Sequence, residues 1–261
     1  MHRSSYRHQS QSAAVDAPHQ EVVRLSERYP YWGYRKIYDL VDRTRYPVSR
    51  ERVRLIRRRE GLQVARKRRK KRLLGQSTQW VHRAEYPHHV WTYDFVFDRS
   101  DDERSLKFLT VVDEFSRLGL SVRCARSLTS RDVKTVLSML VGRYGAPGCL
   151  RSDNGSEFMA GLVKEWLATH AIGTHFIDPG SPWQNAYGES FNSIFRTTCL
   201  NRWLFESVRE AQLIADEWLE EYNTIRPHGS LGGQAPLQFL EQWQRKQGEM
   251  DHNSKQAKSL T

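Results

Sequence analysis

Residues Val90–Asp98 read VWTYDFVFD, and this stretch decides the fold. Trp91, Tyr93, Phe95 and Phe97 alternate with Thr92, Asp94, Val96 and Asp98. A period of two sends the first set to one face of a strand and the second to the other. Leu106–Asp113 follows as a nearly continuous apolar run, the pattern of a central strand covered on both faces. Leu118–Cys124 alternates again. The polar Ser100–Ser105 stretch suits a hairpin connection, so three strands arrive as an antiparallel meander.

Working outward toward the C-terminus, helices join the strands. Ser130 is placed to cap a helix whose stripe is Val133, Val136, Leu137, Leu140, Val141 and Tyr144, stopped by Gly145 and Pro147. Cys149–Ser152 reads as a short strand, Met159–Leu167 as an amphipathic helix and Gly173–Ile177 as a fifth strand. Ser181-Pro182 offers an N-cap and a proline at the first helical position. Ser207–Glu210 is a capping box before a helix that turns Ala211, Ile214, Ala215, Trp218 and Tyr222 inward. The order βββαβαβα, then more helix, predicts an α/β domain over 86–243: a mixed five-stranded sheet flanked by helices. The polar composition of 244–261 predicts a flexible tail.

Toward the N-terminus the pattern is helical. Val22, Val23 and Leu25 mark a first helix, and Tyr34, Ile37, Leu40 and Val41 a second. Ser49 caps a third, which ends near Gly61. Three short helices over 21–65, the last rich in arginine, predict a small all-α helix-turn-helix domain. Residues 1–20 show no period and are expected to be disordered. Residues 66–85 open with RKRRKKR and are expected to form a basic linker.

The 261-residue chain holds 8 Trp, 11 Tyr and 10 Phe, enough to build a core, so global disorder is excluded. No apolar run nears the ~20 residues that span a bilayer, and the N-terminus shows no secretory pattern. Cys124, Cys149 and Cys199 lie too far apart for a disulfide framework or a metal knuckle, which suits a reducing cytoplasm. Lys and Arg number 41 against 30 Asp and Glu, a net +11. From Arg43 to Arg72, 15 basic residues face two acidic ones; that window carries +13 and leaves −2 for the rest. So dense a cluster repels itself unless it meets a polyanion, and nucleic acid is the first candidate. A solvated basic tail is the plainer alternative. The candidate contacts are Arg50, Arg52, Arg54, Arg57 and Arg58 on the third helix, and Lys67, Arg68, Arg69, Lys70 and Lys71 after it.

Three carboxylates stand out. Asp94 sits mid-strand among aromatics, where an unpaired charge is costly to bury. Asp153 follows a strand end in Ser152-Asp153-Asn154-Gly155, a sequence built for a sharp turn. Glu189 lies about two turns into the helix opened by Pro182, on a polar face with Asn185, Asn192 and Arg196. Converging, the three would repel one another, and a divalent cation removes that repulsion. Mg²⁺ prefers such oxygen ligands, and two ions ~4 Å apart suit phosphoryl transfer. The plainer readings are an N-cap for Asp153, a surface charge for Glu189 and a salt bridge for Asp94. Asp113 is a rival, ranked lower because it closes a strand at a turn. His82, His88 and His89 lack partner cysteines at zinc spacing. His228 in Arg226-Pro227-His228 reads as a loop histidine suited to a hydrogen bond or phosphate contact.

These residues resemble the transposases of bacterial insertion sequences, the second-frame type with a retroviral-integrase-like core. The matching stretches are WTYD (Trp91–Asp94), FLTVVDEFSR (Phe108–Arg117), SDNGSEF (Ser152–Phe158), SPWQNAYGESFNSIFR (Ser181–Arg196) and YNTIRPHGSL (Tyr222–Leu231). The resemblance runs from about 21 to 243 and includes a helix-turn-helix over Tyr34–Leu62. It implies an RNase H-like fold, with Asp94, Asp153 and Glu189 as catalytic and metal-binding triad at the family's 35-residue spacing. It also implies two Mg²⁺ ions, with Mn²⁺ able to substitute. Arg196, seven residues past Glu189, matches the family's basic position; Asn185, Arg196 and His228 are expected at DNA. The implied activity is cleavage at the element's terminal inverted repeats and strand transfer of the 3′-OH into target double-stranded DNA. The implied partners are a homo-oligomer on DNA and an upstream-frame fusion partner. The basic helical N-terminus departs from the zinc module of retroviral integrases, and no leucine-zipper-like heptad run is present. A non-catalytic DNA-binding regulator and a nuclease acting on RNA–DNA hybrids are the other functions these features allow.

Overall fold

A computed structural model describes residues 16–65, 83–152, 161–176 and 185–259, and the chain divides into two compact units, Met1–Arg72 and Leu73–Thr261. The first unit packs three helices: α1 (Ala17–Arg28), α2 (Tyr34–Leu40) and α3 (Arg50–Arg59). Val22, Leu25, Ile37, Val53 and Ile56 turn inward from them and are buried. Ser49 caps α3 by accepting from the Arg52 N–H at 3.2 Å, as its sequence position predicts. Gly61 ends the helix at φ +69°, a backbone state that glycine adopts without penalty. Helix α1 begins at Ala17, inside the stretch expected to be disordered. Asp16 accepts from the His19 N–H at 3.0 Å and Pro18 opens the first turn, a start signal the aperiodic composition concealed. The connection Val41–Ser49 is much longer than the ~3–4-residue turn of a tight helix-turn-helix.

The second unit is built on five strands: β1 (Val90–Arg99), β2 (Ser105–Asp113), β3 (Gly119–Ala125), β4 (Cys149–Ser152) and β5 (Gly173–Phe176). Their order is β3-β2-β1-β4-β5. β1, β2 and β3 pair antiparallel, the expected meander; β1 pairs β4, and β4 pairs β5, in parallel. The mixed five-stranded sheet of the sequence expectation is thus what forms. Helices α4 (Ser130–Tyr144), α5 (Gly161–Thr169), α6 (Ala186–Thr198), α7 (Val208–Thr224) and α8 (Pro236–Ser259) complete the unit.

Strand alternation sorts the core into two layers. Trp91 and Tyr93 of β1 join Leu109, Val111, the α4 stripe (Val133, Val136, Leu137, Leu140) and Trp166 on one face of the sheet. Val96, Phe108 and Val122 join Phe191 and Phe195 of α6 and Trp218 and Tyr222 of α7 on the other. β2 is buried along nearly its whole length because both layers use it. Asn223 fastens α7 to β3: it donates to the Gly119 carbonyl at 2.8 Å and accepts from the Gly119 N–H at 2.9 Å.

Local starts differ by small amounts from the sequence expectation. Thr129, not Ser130, caps α4, in a capping box with Asp132. Ser207 caps α7 as expected, while Glu210 reaches back to the Glu206 N–H at 2.6 Å. Helix α8 continues through Ser259, where a flexible tail was expected. Gln, Glu, Lys and Met are strong helix formers, and Leu237 and Leu240 anchor its first turns in the core. Cys124, Cys149 and Cys199 are free thiols, and burial pushes the pKa of Cys124 and Cys199 up to about 12. Among the described residues, no helix is long and apolar enough to cross a membrane.

Candidate functional site

Asp94 occupies the middle of β1, opposite Thr110 of β2, on the face that α6 covers. Its carboxylate is held from two sides. Oδ1 accepts from the Phe95 N–H at 2.7 Å, and Oδ2 accepts from Asn192 Nδ2 at 2.9 Å. The Thr110 hydroxyl donates to Asn192 Oδ1 at 2.9 Å, which fixes the orientation of that amide. Asn192 therefore works as a clamp between strand and helix. The polar face Asn185–Glu189–Asn192–Arg196 pointed to it, yet its partner on β2 is invisible to helical periodicity.

Helix α6 reaches this position because Gly188 lets it come close. A Cβ there would lie 2.6 Å from Thr92 Cγ2 and 2.5 Å from Asn185 Oδ1. Glu189 follows immediately, in the first turn of the helix as described from Ala186. The Ser181-Pro182 start lies outside the described residues. Glu189 is exposed and shares with Asp94, Phe97, Asn192 and Arg196 an open cleft of 460 Å³. Arg196 donates to the Phe97 carbonyl at 2.6 Å, so its guanidinium is tethered along the cleft edge. Asn185 is 5 % exposed, and its Oδ1 has no hydrogen-bond partner among the described residues.

Asp153 itself lies outside the described residues. Ser152, just before it, ends β4, which pairs β1 in parallel with Thr92 opposite Arg151. The described residues contain no group of three His, Cys, Asp or Glu able to hold a metal ion. Two carboxylates on one open cleft are nevertheless a fitting donor set for a hard divalent cation, which takes one or two carboxylates plus water and phosphate oxygens.

A buried polar network joins β1, β4 and the turn after β2. Arg151 Nη1 donates to Glu114 Oε1 at 2.7 Å and to Oε2 at 2.8 Å; both side chains are at most 1 % exposed. The Thr92 hydroxyl donates to the same carboxylate. Burial pushes the Glu114 pKa up, and Arg151 and Thr92 pull against that shift. Glu114 thereby ties β1 to β4 from the turn after β2. Sequence reading passed over it because Asp113 beside it drew the attention. Asp113 accepts from the His88 N–H at 3.0 Å and the Ser116 N–H at 2.9 Å, so it shapes the turn, as its lower ranking anticipated.

The remaining sequence candidates separate. Arg50 stacks over Tyr38 at 5.1 Å, Arg52 pairs with Asp16, and Arg54 pairs with Glu51. Arg57 does not stand on the exposed face of the helix: it is 2 % exposed and donates from Nε to the Leu62 carbonyl at 3.0 Å. Arg58 is exposed. Lys67, Arg68, Arg69, Lys70 and Lys71 lie outside the described residues. His228 is 8 % exposed and packs edge-on against Tyr222 at 4.8 Å, so the fold uses it as a core residue rather than as an open loop contact. Its N–H pairs with the Gln234 carbonyl at 2.9 Å, which pins the loop inward.

Comparison with known proteins agrees with this architecture. Two integrase core domain families match the chain, over residues 84–182 and 170–236. An insertion element IS476 protein of 39.2 kDa from Xanthomonas euvesicatoria is 34% identical over 247 residues, covering 94% of this chain and 71% of that one. The transposase of insertion sequence IS904 from Lactococcus lactis is 25% identical over 162 residues, 61% of this chain and 64% of its own. Among solved structures, the HTLV-2 integrase catalytic core, in complex with magnesium, superposes with a TM-score of 0.51 at 20% identity; it covers 60% of this chain and 99% of that one. That likeness assigns the sheet and its helices to the RNase H-like fold. The chain belongs to the insertion-sequence transposases built on a retroviral-integrase-like core.

Proposed function

We propose that this transposase cuts the phosphodiester at the ends of its element and joins the freed 3′-OH to target DNA, with Asp94, Asp153 and Glu189 as catalytic carboxylates. The support is geometric. Asp94 and Glu189 line one open cleft, Asn192 holds Asp94 in place, and β4, whose last residue Ser152 precedes Asp153 in sequence, pairs with the Asp94 strand. Two positions beyond the Thr92–Arg151 pair, β1 carries Asp94 and the chain after β4 carries Asp153.

These carboxylates would hold Mg²⁺, two ions in the full site and Mn²⁺ in substitution. Such ions lower the pKa of an attacking water and neutralise charge on the leaving oxygen. The chain's own contribution is placement. Asn192 donates to Asp94 and leaves its carboxylate facing the cleft, and Arg196, tethered to Phe97, presents positive charge to a phosphate at the cleft edge. Water attacks first and frees a 3′-OH; that hydroxyl then attacks a target phosphate. Both steps are in-line displacements at phosphorus, so one cleft serves both.

The remaining organisation follows from the charge. The 21–65 unit acts as the helix-turn-helix domain on the terminal inverted repeats, 66–85 as a basic linker, 86–243 as the catalytic core and 244–261 as an appendage to it. Two element ends must be held together, so the working form is a homo-oligomer on double-stranded DNA. It acts in the bacterial cytoplasm, with an upstream-frame product as a further partner.

The test is a labelled element-end duplex with Mg²⁺. Asp94→Asn, Asp153→Asn and Glu189→Gln should each abolish cleavage and joining while leaving duplex binding within about twofold. Strand transfer that survives any of these changes removes that residue from the site.

A further inference from the structure

The three-helix unit holds a second site, apart from the carboxylate cleft. A cavity of 450 Å³ opens between the start of α2, the last turns of α3 and the segment after it, lined by Tyr34, Arg54, Arg57, Arg58 and Gln63. That volume lies within the ~300–1,000 Å³ of small-molecule sites, well above what a bare ion requires. Three of the lining side chains are guanidinium groups.

Their hydrogen bonding is uneven. Arg54 is held by Glu51, with its Nε 2.8 Å from Oε2, so part of its charge is compensated. Arg58 is exposed and has no ion pair among the described residues. Arg57 is the informative one. Only 2 % of it is exposed; Nε and Nη2 both donate to the Leu62 carbonyl, at 3.0 and 2.5 Å, and Nη1 has no partner among the described residues. A buried guanidinium nitrogen without an acceptor is unfavourable, and burial alone lowers this arginine's pKa. Among the described residues, no carboxylate pairs with Arg57 to relieve it. An anion with several oxygens, seated between Arg57 and Arg58, supplies the missing acceptor and meets the planar donor fork of arginine.

We propose that this pocket receives one phosphate group, carried in with its neighbouring sugar, and that its source is the backbone of the bound duplex. The inference rests on the DNA-binding role proposed above for this unit. It assigns Arg57 and Arg58 to one shared phosphate rather than to separate contacts along a helix face, and it assigns them no part in reading bases.

Titration of the full chain with a labelled duplex at several KCl concentrations tests this. Each phosphate contact contributes about 0.9 to the slope of log affinity against log salt. Arg58→Ala and Arg57→Met should each reduce the slope by about 0.9, and the double variant should lose no more than either alone. Arg58 is exposed, so its variant decides the matter even where Arg57→Met fails to fold. A second arm measures thermal unfolding in inorganic phosphate at matched ionic strength. Slopes unchanged by mutation, together with stabilisation of the parent but not Arg58→Ala by phosphate, keep the phosphate site and assign it a free phosphate. Unchanged slopes with no stabilisation overturn the pocket, and a double variant that loses two contacts overturns the shared ligand. Cleavage by the carboxylate cleft is read separately, so the pocket can fail while the catalytic proposal stands, and the reverse.

Discussion

The ion pairs of the three-helix unit differ from the buried pair of the catalytic unit, which also carries exposed pairs at Asp102. In the three-helix unit, ion pairs such as Arg54–Glu51, Arg24–Glu21 and Arg52–Asp16 lie on the surface, in water. In the catalytic unit, Arg151–Glu114 is sealed from solvent. Exposed pairs are worth little to stability and leave arginines able to exchange a carboxylate for a phosphate. A sealed pair cannot exchange; its worth lies in fixing which atoms stand where. The first arrangement suits gripping a polyanion, and the second suits holding a strand pair in register.

The contrast can be broken most sharply at Glu114. Glu114→Ala leaves Arg151 buried and unpaired and should cost about 3–5 kcal/mol, read by denaturant unfolding of the full chain. A loss below 1 kcal/mol would show that water reaches the pair. Next in size is Gly188→Ala. The added methyl meets Thr92 and Asn185, so α6 must shift; the expected cost is about 1–3 kcal/mol, with cleavage falling more than duplex binding. Equal losses in cleavage and binding would mean the helix shift does not reach the cleft. Arg52→Ala should change stability by less than about 1 kcal/mol, since its partner Asp16 is exposed, while weakening duplex binding in low salt. A large unfolding effect there would erase the distinction between the two units.

The smallest effect concerns acid. The Thr129 N–H and hydroxyl hold the Asp132 pKa below the usual carboxylate range. A lowered folded pKa contributes stability above the unfolded value, and that contribution fades as pH falls through the folded one. Asp132→Asn should therefore lower stability slightly at neutral pH, with the difference from the parent vanishing as pH falls through the folded pKa, so that the acid limb is flatter. An unchanged acid limb would mean the box is already open in solution.

The alternation of Trp91–Asp98 was enough to place Asp94 on one face of a strand and Trp91 and Tyr93 on the other, because a period of two admits one arrangement of faces. Helix α6 announced its polar face through Asn185, Glu189, Asn192 and Arg196 for the same reason. Pairings between distant elements were not legible. Nothing in VVDEFSR says that Glu114, rather than Asp113, turns inward to Arg151, since that depends on the turn at Ser116 and on β4 lying beside β1. Arg57 looked like its arginine neighbours along α3; only the return of the chain to Leu62 buries it. His228 looked like a loop residue until the Gln234 pairing folded the loop onto Tyr222. At the two ends, polar composition masks helix: the Asp16 cap starts α1 and helix-forming residues carry α8 to Ser259.

The central place of β1 also has a consequence for how the molecule comes into being. Its partner on one side, β2, follows within a few residues, but its partner on the other, β4, is about fifty residues further along the chain. Local hairpins close quickly, whereas pairing across a long separation waits on loop closure. A nascent polypeptide leaving the ribosome would complete the meander while Asp153 and Glu189, the other two proposed catalytic carboxylates, were still untranslated. Truncated products ending before Ser152 would then be folded in part and incapable of cutting a chromosome.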